Sequence, residues 1–303
     1  MSNSAQARAT HGRNDTMRSS IEPDETLPPL HLADRLLSST ADGFDTTQEN
    51  PADVAALRSV ALWAKDFLTK PHPALGRSGH VCPFVNAAIR EQRFLLTVQR
   101  DADAFQRRAE RVIRRLGRYF LQLDPRASQK AQLNTIVVLF PDLPKERAGD
   151  IVNDVHRRLK PSFLSRGMML GEFFAESSKP GLHNPAFRPL RSDVPLLVIR
   201  SMMLTDIAFL SDRARFVRAF LRNFGPRGCT EVRSYLETAK GSLSESQVSM
   251  LLEQVARYEA SVRQAEQLRT SDHTLQLTAP GRAVSYIREI ATVPQKKRRL
   301  PAV

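Results

Sequence analysis

The feature that most constrains the fold is the run Thr135-Ile-Val-Val-Leu-Phe140, a continuous β-branched and apolar stretch with no polar alternation. A run of this kind predicts a strand buried on both faces, and such a strand needs cover on each side. The segments around it supply that cover. Phe105, Ala109, Val112, Ile113, Leu116, Tyr119, Phe120 and Leu123 repeat every three or four positions, the stripe of an amphipathic helix over about 102–122. Ala148, Ile151, Val152, Val155 and Leu159 mark a second helix over about 145–159, read as stopping before Pro161.

The remaining apolar pattern predicts a helix at about 52–69, strands at 94–98, 168–174 and 194–200, and a helix at 205–223 ended by Gly225-Pro226. The order α-β-α-β-α-β-β-α implies an α/β (or α+β) fold, with one mixed sheet of three or four strands covered by helices. The expected division is a disordered segment at 1–50, an α/β core at 51–225, a helical extension at 226–270 and a basic, poorly ordered tail at 271–303. Within the first segment only Leu30–Leu37 reads as a short helix. Ser242 and Glu245 have capping-box spacing, and Val248, Leu251, Val255, Tyr258, Val262 and Ala265 follow in steps of three and four. That seam either docks on the body or forms a homodimer.

Charge is the other strong signal. The chain carries 45 Lys+Arg against 32 Asp+Glu, a net +13. Residues 1–52 hold four arginines against eight acids, a net −4, which leaves +17 on the rest. Arg107, Arg108, Arg111, Arg114, Arg115 and Arg118 fall opposite the apolar stripe of the 102–122 helix. Such a face is either a solvated exterior or a surface that tracks phosphates. Aromatics make up 7% of the chain and no recognition motif accompanies the arginines, so charge alone does not identify a nucleic-acid binder. The tail Lys296-Lys297-Arg298-Arg299 is a polyanion patch if presented and a frayed terminus otherwise.

Several classes are excluded by pattern. The apolar runs are about strand length, short of the ~20 residues of a membrane helix, and Met1–Arg8 lacks a signal-peptide core. Two cysteines make no disulfide framework. A cytoplasmic protein is therefore expected. No phosphate loop, dinucleotide fingerprint, nucleophile elbow or zinc-helix motif occurs, and none of the seven histidines has chelating spacing to another. No metal is expected.

Two loops hold the remaining chemistry. In His80-Val-Cys82-Pro-Phe84 the thiol precedes a short helix whose dipole favours thiolate, so Cys82 suits a nucleophile or an axial heme ligand. The other reading is a small hydrophobe packed in the core. In Lys179–Ser192 the loop collects His183, Asn184, Arg188 and Arg191 between prolines and glycines. His183 suits acid–base work, and the two arginines suit a carboxylate or phosphate clamp. The same arginines could instead pair with Glu172 or Asp193 in a structural cover.

The segments Cys82-Pro-Phe-Val85, Gly171-Glu-Phe-Phe174, Gly181-Leu-His-Asn-Pro185, Phe187-Arg-Pro-Leu-Arg-Ser192 and Val194-Pro-Leu-Leu-Val-Ile-Arg200 together resemble an uncharacterised bacterial domain-of-unknown-function family, often met beside biosynthetic genes. The resemblance covers about residues 65–215. More distantly the layout is similar to the YqcI/YcgG-like family, which includes heme-dependent N-hydroxylases. Its pattern carries a histidine near the position that Ser201 occupies here. These likenesses imply an enzyme of specialised metabolism acting on an amino-acid-like small molecule, with heme as the implied cofactor. Cys82 and His183 are then the reactive groups, and His80, Asn184, Arg188, Arg191 and Arg200 bind substrate. The alternative is a non-catalytic basic module that engages an acidic protein or RNA.

Overall fold

The computed structural model describes residues 27–38, 50–100, 105–124, 128–239 and 241–278. The expected disorder of the N-terminal segment, outside 27–38 and 50, and the basic tail beyond 278 lie outside the described residues.

Strand β3 (Thr135–Leu139) is buried at every position, as its unbroken apolar run requires. It pairs in parallel with β2 (Phe94–Val98) and antiparallel with β5 (Leu196–Ser201). Beyond β5 lies β4 (Met168–Phe173), and beyond β2 lies the two-residue β1 (His31–Leu32), both antiparallel to their neighbours. The order is β1-β2-β3-β5-β4, so the mixed sheet has five strands, not the three or four expected. The miss is β1. Two residues are too few to show alternation, and His31 joins the sheet only because Leu96 is there to pair with it.

One face is covered by α4 (Phe105–Phe120) and α5 (Lys145–Leu164). Their Ile113, Leu116, Val152, Val155 and Leu159 meet Ile136, Val138, Leu170, Leu197 and Ile199 in one core. Helix α5 runs through Pro161, past the expected stop. Proline removes one hydrogen bond of the last turn, and burial of Phe163 and Leu164 beyond it offsets that loss.

The opposite face is covered by α1 (Ala33–Ser38), α2 (Pro51–Trp63), the π turn Ala64–Leu68 and α3 (Val85–Arg90). Leu36, Leu57, Val60, Ala61 and Ala88 pack there on Leu96, Val137, Leu139 and Leu196. Asn50 caps α2, its side chain accepting from the Ala52 N–H at 3.0 Å, with Pro51 in the first turn.

A third core joins the 3₁₀ turn Leu204–Phe209 with α6 (Ala214–Phe224), α7 (Pro226–Thr238) and α8 (Glu245–Thr278). Gly225-Pro226 ends α6 as read, but Pro226 also opens α7. The cap of α8 is Ser244 with Gln247, two residues later than Ser242 with Glu245. The Ser244 N–H donates to Gln247 Oε1 at 3.0 Å and the Gln247 N–H donates to Ser244 Oγ at 3.3 Å. The seam's Leu251 and Val255 are buried in this third core, which is the docking arrangement. No helix among the described residues is long and apolar enough to cross a membrane.

Leu116→Ala, at a site with no exposure, should cost about 2–5 kcal/mol in urea unfolding, because α5 and β3 cannot close the void. Arg114→Ala, on the exposed side of the same helix, should stay within about 0.5 kcal/mol.

Candidate functional site

The 179–192 loop singled out in the sequence meets the chain just ahead of the His80–Phe84 loop, at residues 72–76. Asn184 Nδ2 donates to the Ala74 carbonyl at 2.8 Å, and Asn184 Oδ1 accepts from the Ala186 N–H at 2.9 Å. His72 stacks on Phe187, ring centroids 4.7 Å apart, and Phe187 also meets Phe67 of the π turn. Gly76 sits against the His183 backbone. A Cβ there would lie 2.6 Å from the His183 carbonyl oxygen, and φ is +76°, so glycine is required twice over.

The individual side chains are placed differently from the sequence expectation. The His183 side chain belongs to an exposed residue, while its backbone makes the junction. Arg188 donates to the carbonyls of its own turn, Pro185 and Phe187. Arg191 donates to the Ser177 carbonyl at 3.2 Å. The two arginines therefore stiffen the loop through backbone carbonyls and form no mutual clamp. The His80 carbonyl accepts from Arg77 Nη2 at 2.9 Å. Cys82 is half-buried against the second core, with its N–H on the Leu68 carbonyl at 2.8 Å. The first residue of α3 is Val85 and its cap is Phe84, so Cys82 lies two positions before the cap.

Arg200, read as an anion-binding group, already holds an anion. Its Nη1 and Nη2 donate to the two carboxylate oxygens of Asp206 at 2.7 and 2.6 Å. Burial works against its charge, but the Asp206 bonds win and raise its pKa, with the Cys82 side chain also within electrostatic reach. The histidine pattern noted near Ser201 is replaced by a hydroxyl that donates to the Ala131 carbonyl at 2.7 Å.

A second cluster escaped the sequence reading. On α5, His156 Nε2 lies 2.9 Å from the Leu170 carbonyl and 3.0 Å from Glu172 Oε2. Both neighbours accept, so Nε2 carries the proton. Glu172 is buried in β4, and the Lys179 ammonium pairs with its other oxygen, Oε1. Glu172 thus pairs with Lys179 and His156 and not with the loop arginines. Burial, with the charges of Lys160 and Lys179 nearby, pushes His156 down to about 3 against the hydrogen bond to Leu170. Burial likewise lowers Lys179. The cluster pins the first residue of the 179–192 loop to the sheet. Its sequence signal was a histidine inside the apolar stripe of α5 and a glutamate inside an apolar strand.

Parts of α1, the π turn and α3 surround an open hollow of about 340 Å³ lined by Asp34, Leu37, Ser38, Lys65, Thr69, Asn86 and Ile89. Asp34 Oδ2 accepts from Gln92 Nε2 at 2.7 Å, whereas the buried Oδ1 has no partner among the described residues. The Cys82 N–H bonds to Leu68, next to the lining residue Thr69. These polar residues come from separate helices and had no sequence signal. A heme between the two loops would need a flat slot, and backbone contact at Gly76 with the His72–Phe187 stack fills that space. The residues present do not fit it. Among the described residues no three His, Cys, Asp or Glu side chains gather as a metal site.

A family model described as a domain of unknown function (DUF6875) matches residues 57–235, from within α2 to within α7. No curated protein and no solved structure matches the chain.

Two outcomes follow from this geometry. Gly76→Ala and Gly79→Ala both place alanine at positive φ, but Gly79 faces only a flexible arginine tip at 3.5 Å. Gly76→Ala should therefore lose at least about 1 kcal/mol more stability in urea titration. Because the folded His156 pKa lies below its unfolded value, the neutral imidazole stabilises the fold fully above about 6.5, and that term is lost as pH falls toward about 3. His156→Gln should flatten the fall in unfolding free energy between pH 6 and 4 by up to about 1.4 kcal/mol per unit.

Proposed function

From the premise that this chain belongs to the DUF6875 family of domains of unknown function, we propose that it is an enzyme acting on a small amino-acid-like molecule. The substrate lies in the hollow between α1, the π turn and α3. One observation carries this reading: the hollow sets a carboxylate, an amine and an amide on its walls, the groups that pair with the two charged ends of an amino acid.

The Asp34 carboxylate takes the substrate ammonium, while Lys65 and Asn86 take its carboxylate. Leu37 and Ile89 supply the apolar wall. A volume of about 340 Å³ suits a molecule of amino-acid size, at the lower end of ordinary ligand sites. Cys82 on the bordering segment is the proposed reacting group. The half-buried Cys82 contrasts with Cys229, which is buried in the third core and whose thiol burial and Glu259 push up.

The test is calorimetric titration with the common α-amino acids, their amides and their deaminated analogues. Some zwitterions should bind, the amides and deaminated forms should bind at least about tenfold more weakly, and Asp34→Asn should lose a similar factor. A bound zwitterion should also slow iodoacetamide labelling of Cys82 without changing Cys229. If no zwitterion binds, or Asp34→Asn binds as well as the native chain, the reading is wrong.

A further inference from the structure

The outward face of α4 carries a dense row of arginines, and the hollow makes no use of it. Arg107, Arg111, Arg114 and Arg118 recur in steps of four, three and four, so they form one row along the helix, about 16 Å long at 1.5 Å per residue. All four are exposed. Arg107, Arg111 and Arg118 make no ion pair among the described residues. Arg114 lies 3.9 Å from Glu110, the single acid of α4. Glu110 is also 3.7 Å from Arg158 of α5, which is itself paired with Asp154 at 2.8 Å, so the open cationic row is that of α4.

What the face lacks is as informative as what it has. The exposed large apolar residues are Leu62, Leu182, Phe209, Leu252 and Leu268, none of them on α4 or α5. A stable protein interface needs an apolar centre, and this face offers none. A phosphodiester backbone needs only charge and fork-shaped donors, which arginine supplies. No aromatic among the described residues of this face is exposed, which argues against base stacking but has no bearing on backbone contact.

We infer that the Arg107–Arg118 row of α4 binds the phosphate backbone of a nucleic-acid duplex without reading its sequence. One strand of a duplex presents a phosphate about every 3.4 Å of axis, so a row of about 16 Å spans about five, and four arginines meet about four of them. This inference is independent of the amino-acid site, since α4 covers the other face of the sheet from α1 and α3.

The test measures anisotropy of a labelled 20-base-pair duplex of arbitrary sequence against the full chain, from 50 to 200 mM NaCl. Four phosphate contacts imply a log–log salt slope of about −3.6 and a loss of about 100-fold over that range. Arg107→Glu with Arg111→Glu and Arg118→Glu should weaken binding at least about 30-fold at 50 mM salt and flatten the slope by about 3. Arg257→Glu with Arg263→Glu and Arg269→Glu on α8 changes net charge equally and should cost less than about threefold. Circular dichroism and a thermal melt confirm that both triple variants fold. Equal losses in the two variants, absence of binding at 50 mM salt, or equally tight binding of polyglutamate would each overturn the inference.

Discussion

Strand β3 leaves no side chain in contact with bulk water, and so each face of the sheet must carry a covering layer. The two layers then divide the molecule's chemistry. On one face α4 and α5 turn their described apolar side chains to the core and present a hydrophilic, mostly cationic exterior. On the other face the cover is piecewise, made of α1, α2, the π turn, α3 and two long loops. A cover assembled from short pieces leaves gaps, and the hollow at Asp34, Lys65 and Asn86 is one of them. A pair of long amphipathic helices leaves a smooth back.

The loops on the piecewise side hold their shape by backbone contacts more than by side-chain chemistry. Asn184, Arg188 and Arg191 all spend hydrogen bonds on carbonyls, and His183 is packed through its main chain. Lys179 is held at the start of the second loop by buried Glu172, which His156 supports from α5. Residues of catalytic type can therefore be structural when a Pro/Gly-rich segment has many carbonyls to satisfy. The same accounting explains Arg200: a guanidinium near the end of a buried strand must bring its own counter-ion, and Asp206 is six residues away on the next turn.

Most of the fold was legible along the chain. Period-3.6 stripes located α4 and the first part of α5, and continuous apolar runs located β2 to β5. β1 was invisible because two residues carry no period, and the last turn of α5 because proline propensity is local while burial of Phe163 is not. The Ser242 cap was displaced to Ser244 because two serines at nearly equivalent spacing cannot be ranked without knowing where the helix axis begins.

What the sequence by itself determined is the layer arrangement and the two-sided character of the molecule, since hydrophobic period and charge placement are properties of single segments. What only tertiary structure decided is which polar groups share a site. His156 with Glu172, Arg200 with Asp206, and Asp34 with Lys65 and Asn86 each depend on elements whose relative placement comes from packing. A single ionisable residue has the same spacing signature whether its partner is solvent, a backbone carbonyl or a ligand. Only burial, which strips away water and forces the group to find one partner, separates these outcomes.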